Sequence, residues 1–95
     1  MNLKQLHNTP KDVSAVPIFQ NATGNTIAIR IAAQQQLKEH ITKTPALLLN
    51  VEGHVKYEDE NGVDKELLPG DFYTIEPNVK HWINAITESH LLLIK

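Results

Sequence analysis

The sequence predicts an all-β protein, a single antiparallel sandwich or barrel. Three observations carry this: roughly seven or eight short runs of strand-forming residues, turn signals at regular intervals, and no helical periodicity of useful length. The 95 residues supply one modest core and no second domain. Residues 1–25 read as an N-terminal arm with an edge strand, and residues 26–95 as the barrel.

Met1 to Pro10 is polar with scattered leucines, and Asn8-Thr9-Pro10 is a breaker. This predicts a mobile arm or an irregular turn, with His7 in solvent. Val16, Pro17, Ile18 and Phe19 are apolar around a proline, which suits an edge strand because proline donates nothing to a ladder. Asn21 to Asn25 is a turn. From Thr26 to Ala33 the alternation is clean, with Ile27, Ile29, Ile31 and Ala33 on one face and Ala28, Arg30 and Ala32 on the other. If Leu37 to Thr42 is extended, His40 and Thr42 share one side, and Glu39 and Ile41 the other. Ala46 to Val51 is helical by composition, but its brevity and the break at Glu52-Gly53 favour a strand buried on both faces.

Val55 and Tyr57 alternate with Lys56 and Glu58, and Asn61-Gly62 is the strongest short-range hairpin signal in the chain. The acidic tip, Glu58-Asp59-Glu60 with Asp64, matches no calcium loop and reads as a solubility feature. Pro69-Gly70-Asp71 reverses the chain, Phe72 to Ile75 is a short strand, and Pro77-Asn78 reverses it again. His81 then opens a strand that runs to Ile86, and Leu91 to Ile94 closes the chain. His90, beside the turn Thr87-Glu88-Ser89, reads as exposed.

Composition narrows the function. Nine basic and 11 acidic side chains, spread along the chain, give a net charge of −2 and no basic stripe, which argues against a nucleic-acid partner. No run is long enough to span a bilayer and Met1 to His7 lacks a signal-peptide core, so no membrane partner and a cytoplasmic location are expected. The absence of cysteine removes thiolate chemistry, and the five histidines become the residues of interest. His81 enters a sheet beside a tight turn; facing the interior, its imidazole needs a metal, a ligand or a backbone hydrogen-bond partner.

Leu47 to Gly53, then Leu67-Leu68-Pro69-Gly70-Asp71, then Ile75-Glu76-Pro77-Asn78-Val79-Lys80-His81, resemble the cupin superfamily, over nearly the whole chain from Ile27 to Ile94. The resemblance implies a small jelly-roll β-barrel whose two motifs face each other across its mouth. Asn78 stands where the family usually has glycine. The family's first motif is His-x-His, a carboxylate about four residues on, and glycine about seven further. Counted back from Gly53, these fall on His40, Thr42 and Ala46. His40 and His81 thus match metal-ligand positions, and Thr42 and Ala46 depart from them.

Two histidines without the carboxylate leave iron, manganese, nickel or zinc with neutral ligands only, unless water, Thr42 or an anion completes the shell. The resemblance therefore implies one of two functions. The first is a binding domain that holds a small polar or anionic ligand through His40, Thr42 and His81, with Tyr57 or Tyr73 as pocket walls. The second is a metal-dependent isomerase, epimerase or dioxygenase with His40 and His81 as ligands. Trp82, pointing opposite to its neighbour His81, reads as core filling. The apolar stretch Val16 to Phe19 suits pairing with a second chain and predicts a homodimer.

Overall fold

Alternation along each run decides which side chains meet, and in the computed structural model it builds two antiparallel sheets that share one core. The structure describes residues 1–8 and 10–95. Its strands are β1 (Val13–Asn21), β2 (Gly24–Ile31), β3 (Gln36–His40), β4 (Ala46–Glu52), β5 (Val55–Asp59), β6 (Asp64–Leu67), β7 (Phe72–Ile75), β8 (His81–Ala85) and β9 (Ser89–Ile94). One sheet has the order β1-β2-β9-β4-β7 and the other β3-β8-β5-β6. This is a small jelly roll. Between the sheets lie Ile29, Ile31, Leu48, Val55, Tyr57, Ile75, Ile83 and Leu91, all essentially inaccessible to solvent. The radius of gyration, 12.5 Å, is that of one domain of this length, about 12 Å. Among the described residues no helix is long and apolar enough to cross a membrane.

Several expectations are corrected. β4 is not buried on both faces: Ala46, Leu48 and Asn50 are buried while Leu47 and Leu49 are half-buried, because a two-layer sandwich covers only one face of each sheet. Of the mobile arm or irregular turn expected at the N-terminus, the turn is present. Leu3–Gln5 forms a 3-10 turn whose Lys4 amide donates to the Asn2 side chain (2.9 Å), and Lys4 Nζ lies 2.9 Å from Glu52. His7, expected in solvent, is half-buried with Nδ1 2.7 Å from Ser14 Oγ. Thr9, within the breaker Asn8-Thr9-Pro10, lies outside the described residues.

His90, expected to be exposed, is only 5% accessible. Its strand opens immediately after the turn, and the side chain falls on the face that the N-terminal segment covers. Trp82 is half-buried and pairs in register with Glu58, on the face of β8 turned away from the core. The acidic tip is structural rather than merely solubilising. Asp59 is 8% accessible and accepts hydrogen bonds from the Tyr57 hydroxyl and the Asn61 and Val63 amides.

The two sheets are joined at Asn50, fully buried near the end of β4. Its side-chain amide donates to the carbonyls of Gly53 and Leu67, both at 2.9 Å. Its backbone carbonyl accepts from Gly70, and its backbone amide donates to Asp71. Replacing Asn50 by alanine strips two buried carbonyls of their donors, each worth about 1–3 kcal/mol. We expect Asn50→Ala to lose about 2–5 kcal/mol of unfolding free energy. Urea unfolding with an unchanged slope would show this, and a loss below about 1 kcal/mol would show that Asn50 does not join the sheets.

Candidate functional site

The second motif is built by its turns. Asp71 Oδ2 accepts from the Leu68 amide at 2.8 Å, and Gly70, at φ +90°, supplies a backbone angle that side chains resist. Asn78 sits at φ +62°, the left-handed position that asparagine tolerates, and its amide donates to the Thr42 carbonyl at 2.7 Å. The turn before His81 is thereby tied to the loop after His40. A second grip comes from the β5–β6 hairpin. The Lys80 amide donates to Glu60 Oε2 (2.6 Å) and the Glu60 amide to the Lys80 carbonyl (2.9 Å). His81 then enters β8 opposite both Asp59 on β5 and His40 on β3.

His81 is 3% accessible, whereas His40 is exposed. Their ring centroids are 6.3 Å apart. Each imidazole places Nδ1 against the carbonyl two residues before it, Lys38 for His40 and Val79 for His81. A carbonyl accepts only from N–H, so both rings carry a proton on Nδ1, and the neutral form of each keeps its lone pair on Nε2. On the other side of His81 the Tyr57 ring lies nearly parallel, with centroids 5.7 Å apart, and Tyr73 lies 4.5 Å from Tyr57. His40, His81, Tyr57 and Tyr73 therefore form one chain of rings running into the core.

They do not line one cavity. Tyr73 borders an open groove of about 520 Å³ with Lys65, Glu66 and Phe72. His40 borders another, about 390 Å³, with Asp12, Gln36 and Leu37. Thr42 is placed with Gly24 and Lys95 at a third, and its buried hydroxyl has no partner among the described residues. Tyr57, wholly buried, is the plug between the rings and the core.

Burial sets the electrostatics. It pushes His81 below the ordinary histidine value, helped by the neighbouring His40 and opposed by the Val79 hydrogen bond and Asp59. The Tyr57 phenol is pushed far up, first by burial and then by its hydrogen bond to Asp59, so it acts as a neutral donor. Tyr73 is raised by burial and by Asp59 and Glu76. The oxygens of the Asp59 side chain are engaged by Tyr57, Asn61 and Val63.

That donor set fits a cation weakly. Among the described residues no three His, Asp or Glu side chains converge as a metal-binding group. With metal–nitrogen bonds of about 2 Å, two imidazoles on a tetrahedral ion have centroids about 5 Å apart, and about 6 Å is reached only when they are nearly opposite. The His40–His81 spacing is at that limit. Ala46, at the family's carboxylate position, is buried opposite Ile75. Asp59 and Glu60, which hold His81 in place, were missed in the sequence; the signal was Asp59 standing two residues after Tyr57, and so on the same face.

No protein-family model and no curated protein matches the sequence. Solved structures do match the fold. A cupin superfamily protein from Desulfitobacterium hafniense superposes with a TM-score of 0.86 over 98% of this chain and 84% of its own, at 15% identity. A cupin-2 domain containing protein from Shewanella frigidimarina gives 0.80 over 100% and 92%, at 18% identity. An RmlC-like cupin from the same organism gives 0.79 over 87% and 74%, at 20% identity. The chain has the cupin fold.

Because His81 is held neutral, the unfolded chain takes up protons that the folded chain refuses once pH drops below the ordinary histidine value of 6.5. Stability is therefore fully present above that pH and falls as pH descends through the lowered folded value. His7, also lowered, first by burial, adds to the same trend. We expect the urea midpoint to drop across this window and the drop to shrink in His81→Gln; an unchanged slope in that variant would mean that His81 is not buried in its neutral form.

Proposed function

We propose that this cupin-fold chain is a binding protein that holds a small polar or anionic ligand at His40 and His81, with any iron, manganese, nickel or zinc there held weakly. The observation that supports this reading is the pairing of two imidazoles whose Nδ1 atoms are committed to backbone carbonyls, beside a position, Ala46, that offers no charge. Two lone pairs accept hydrogen bonds from a hydroxyl, amine or protonated acid. An anion binds by bringing a proton onto a ring, so its affinity rises as pH falls. Thr42, whose buried hydroxyl is unpartnered among the described residues, borders a different groove and is linked to the turn before His81 through its backbone bond to Asn78. Metal-dependent isomerase, epimerase or dioxygenase chemistry has less support, because no carboxylate joins the two rings.

The deciding measurement is metal content by mass spectrometry of untagged protein, beside a His40→Ala, His81→Ala double variant. We expect no metal that depends on these two residues. Acetate, phosphate and glycerol should instead raise the thermal midpoint of the metal-free parent and not that of the variant. Near-stoichiometric metal lost in the variant would overturn the binding-protein reading in favour of a metal centre.

We further propose a homodimer through β1, an edge strand whose Ile18 and Phe19 are 41% and 62% accessible. Pro17 donates nothing and the ladder to β2 shifts register between Pro17 and Phe19, so side-chain packing rather than backbone pairing drives the contact. Sedimentation at micromolar concentration should give a dimer that Phe19→Asp dissociates; a monomeric parent would sink the proposal.

A further inference from the structure

On the outer face of the larger sheet, away from His40 and His81, a polar row crosses four strands. Ser14 on β1 pairs with Arg30 on β2, Arg30 with His90 on β9, and His90 with Glu52 on β4. The N-terminal segment lies across this row, with Lys4 on Glu52, His7 on Ser14, and the His7 and His90 ring centroids 5.8 Å apart. Leu3 and Leu6 of the same segment line an apolar groove of about 500 Å³ together with Val16, Pro17 and Ile18 of β1.

The charges along this row are already matched while both rings are neutral. Arg30 donates to Glu88 Oε1 through Nε and Nη2, at 3.2 and 2.8 Å, and to the Lys11 carbonyl through Nη1. Lys4 takes Glu52 at 2.9 Å. A proton on His90 has Glu88 Oε2 within 3.8 Å of Nε2. His7 has no such neighbour: Ser14 beside it is neutral, and the groups that act on it through charge are His90 and Arg30. A charged imidazole carries N–H on both nitrogens, so protonated His7 also holds an N–H at Nε2, which is shut off from water and has no partner among the described residues. Whichever tautomer the neutral ring adopts, charging His7 under the segment strands a donor and sets like charges together.

We propose that residues 1–8 are an acid-released strap, closed over the outer face of the larger sheet at neutral pH and detached, with the barrel still folded, when His7 beneath them is protonated. Released, the His7 ring stands in water and takes its proton at the ordinary value of 6.5; closed, burial first, then His90 and Arg30, hold it lower. Closure is therefore fully favoured above pH 6.5 and is lost as pH falls through the lowered value. The strap is lightly held, so one proton is enough to release it. Lys4 and Glu52 are 59% and 53% exposed, and ion pairs in water contribute little. The single 3-10 turn buries none of its residues, and such segments open far more readily than the strands they lie on. Opening withdraws Leu3 and Leu6 from Val16 and enlarges the apolar edge on β1 where Ile18 and Phe19 are already exposed.

NMR of the untagged full-length protein between about pH 7.5 and pH 5 tests this, with histidine ring signals reporting protonation and backbone relaxation of Leu3 to Leu6 reporting closure. We expect order parameters of the strap to fall from about 0.8 to below about 0.6, with a midpoint that lies below pH 6.5 and matches the titration of the His7 ring. Amides of β4 and β9 should stay protected from hydrogen exchange across the same range. His7→Gln keeps a polar group for Ser14 but does not titrate, and its strap should be as ordered at pH 5 as at pH 7.5. His81→Gln should open as the parent does. A parent strap equally ordered at both pH values, opening out of step with the His7 ring, loss of barrel protection at the same midpoint, or the same acid opening in His7→Gln would each overturn the proposal. If His7→Gln is already loose at pH 7.5, the two midpoints of the parent decide.

Discussion

A two-layer β fold has to satisfy every polar group that its layers bury, and here that constraint concentrates on Asn50. Its amide group supplies donors to two carbonyls, one at the β4–β5 turn and one at the end of β6. The backbone of the same residue holds the Pro69-Gly70-Asp71 turn. The strand after that turn leads through β7 to Asn78 and His81, so a side chain on one sheet sets the start of the segment that carries the ring cluster on the other. Gly53 contributes at the same corner: at φ +103° it is in the left-handed region, and a Cβ there would meet the Glu88 carbonyl at 2.5 Å and Ser89 Cα at 2.7 Å. The corner is therefore held by hydrogen bonds and by the absence of a side chain.

Much of the fold was legible because period-two alternation and turn chemistry are local. Val55 and Tyr57 face inward, Asn61-Gly62 turns the hairpin with Gly62 at φ +84°, and Asn78 takes the left-handed angle. What was not legible depends on what covers each face. His90 and Ile94 stand on one strand at opposite extremes of exposure, and nothing within β9 says that His90 lies beneath residues 1–7. The acidic hairpin tip misled for the same reason. Asp59 reads as a solvated charge until Tyr57, Asn61 and Val63 are seen to donate to it. The site was legible in part: the motif positions pointed to His40 and His81, which stand opposite each other on β3 and β8, whereas the separation of Tyr73, His40 and Thr42 into different grooves required the whole sheet arrangement.

The two histidine pairs show how little the residue type alone decides. In both, one nitrogen of each ring faces a protein group. At His40 and His81 those groups are backbone carbonyls, and the pair spans an exposed and a buried ring. At His7 and His90 they are a hydroxyl and a carboxylate, and both idle nitrogens are sealed from water. An open lone pair is satisfied by solvent at no cost and waits for a ligand with donors. A sealed nitrogen has no such recourse, and this difference in access separates the two pairs more than the 0.5 Å difference in ring separation (6.3 against 5.8 Å) does.

The same reasoning explains why the interior end of the ring chain is aromatic. Ala46 is buried, pairs in register with Ile75 and offers no charged ligand to a cation between the sheets. Tyr57 occupies the corresponding depth from the other sheet, stacking on His81 and spending its hydroxyl on Asp59. A hydrogen bond to an ionised acceptor contributes about 1.5–3 kcal/mol, and it also turns the Asp59 carboxylate away from any role as a ligand. Tyr57 and Asp59 thus satisfy each other, while Asn50 Oδ1 and the Thr42 hydroxyl stay buried without a partner among the described residues.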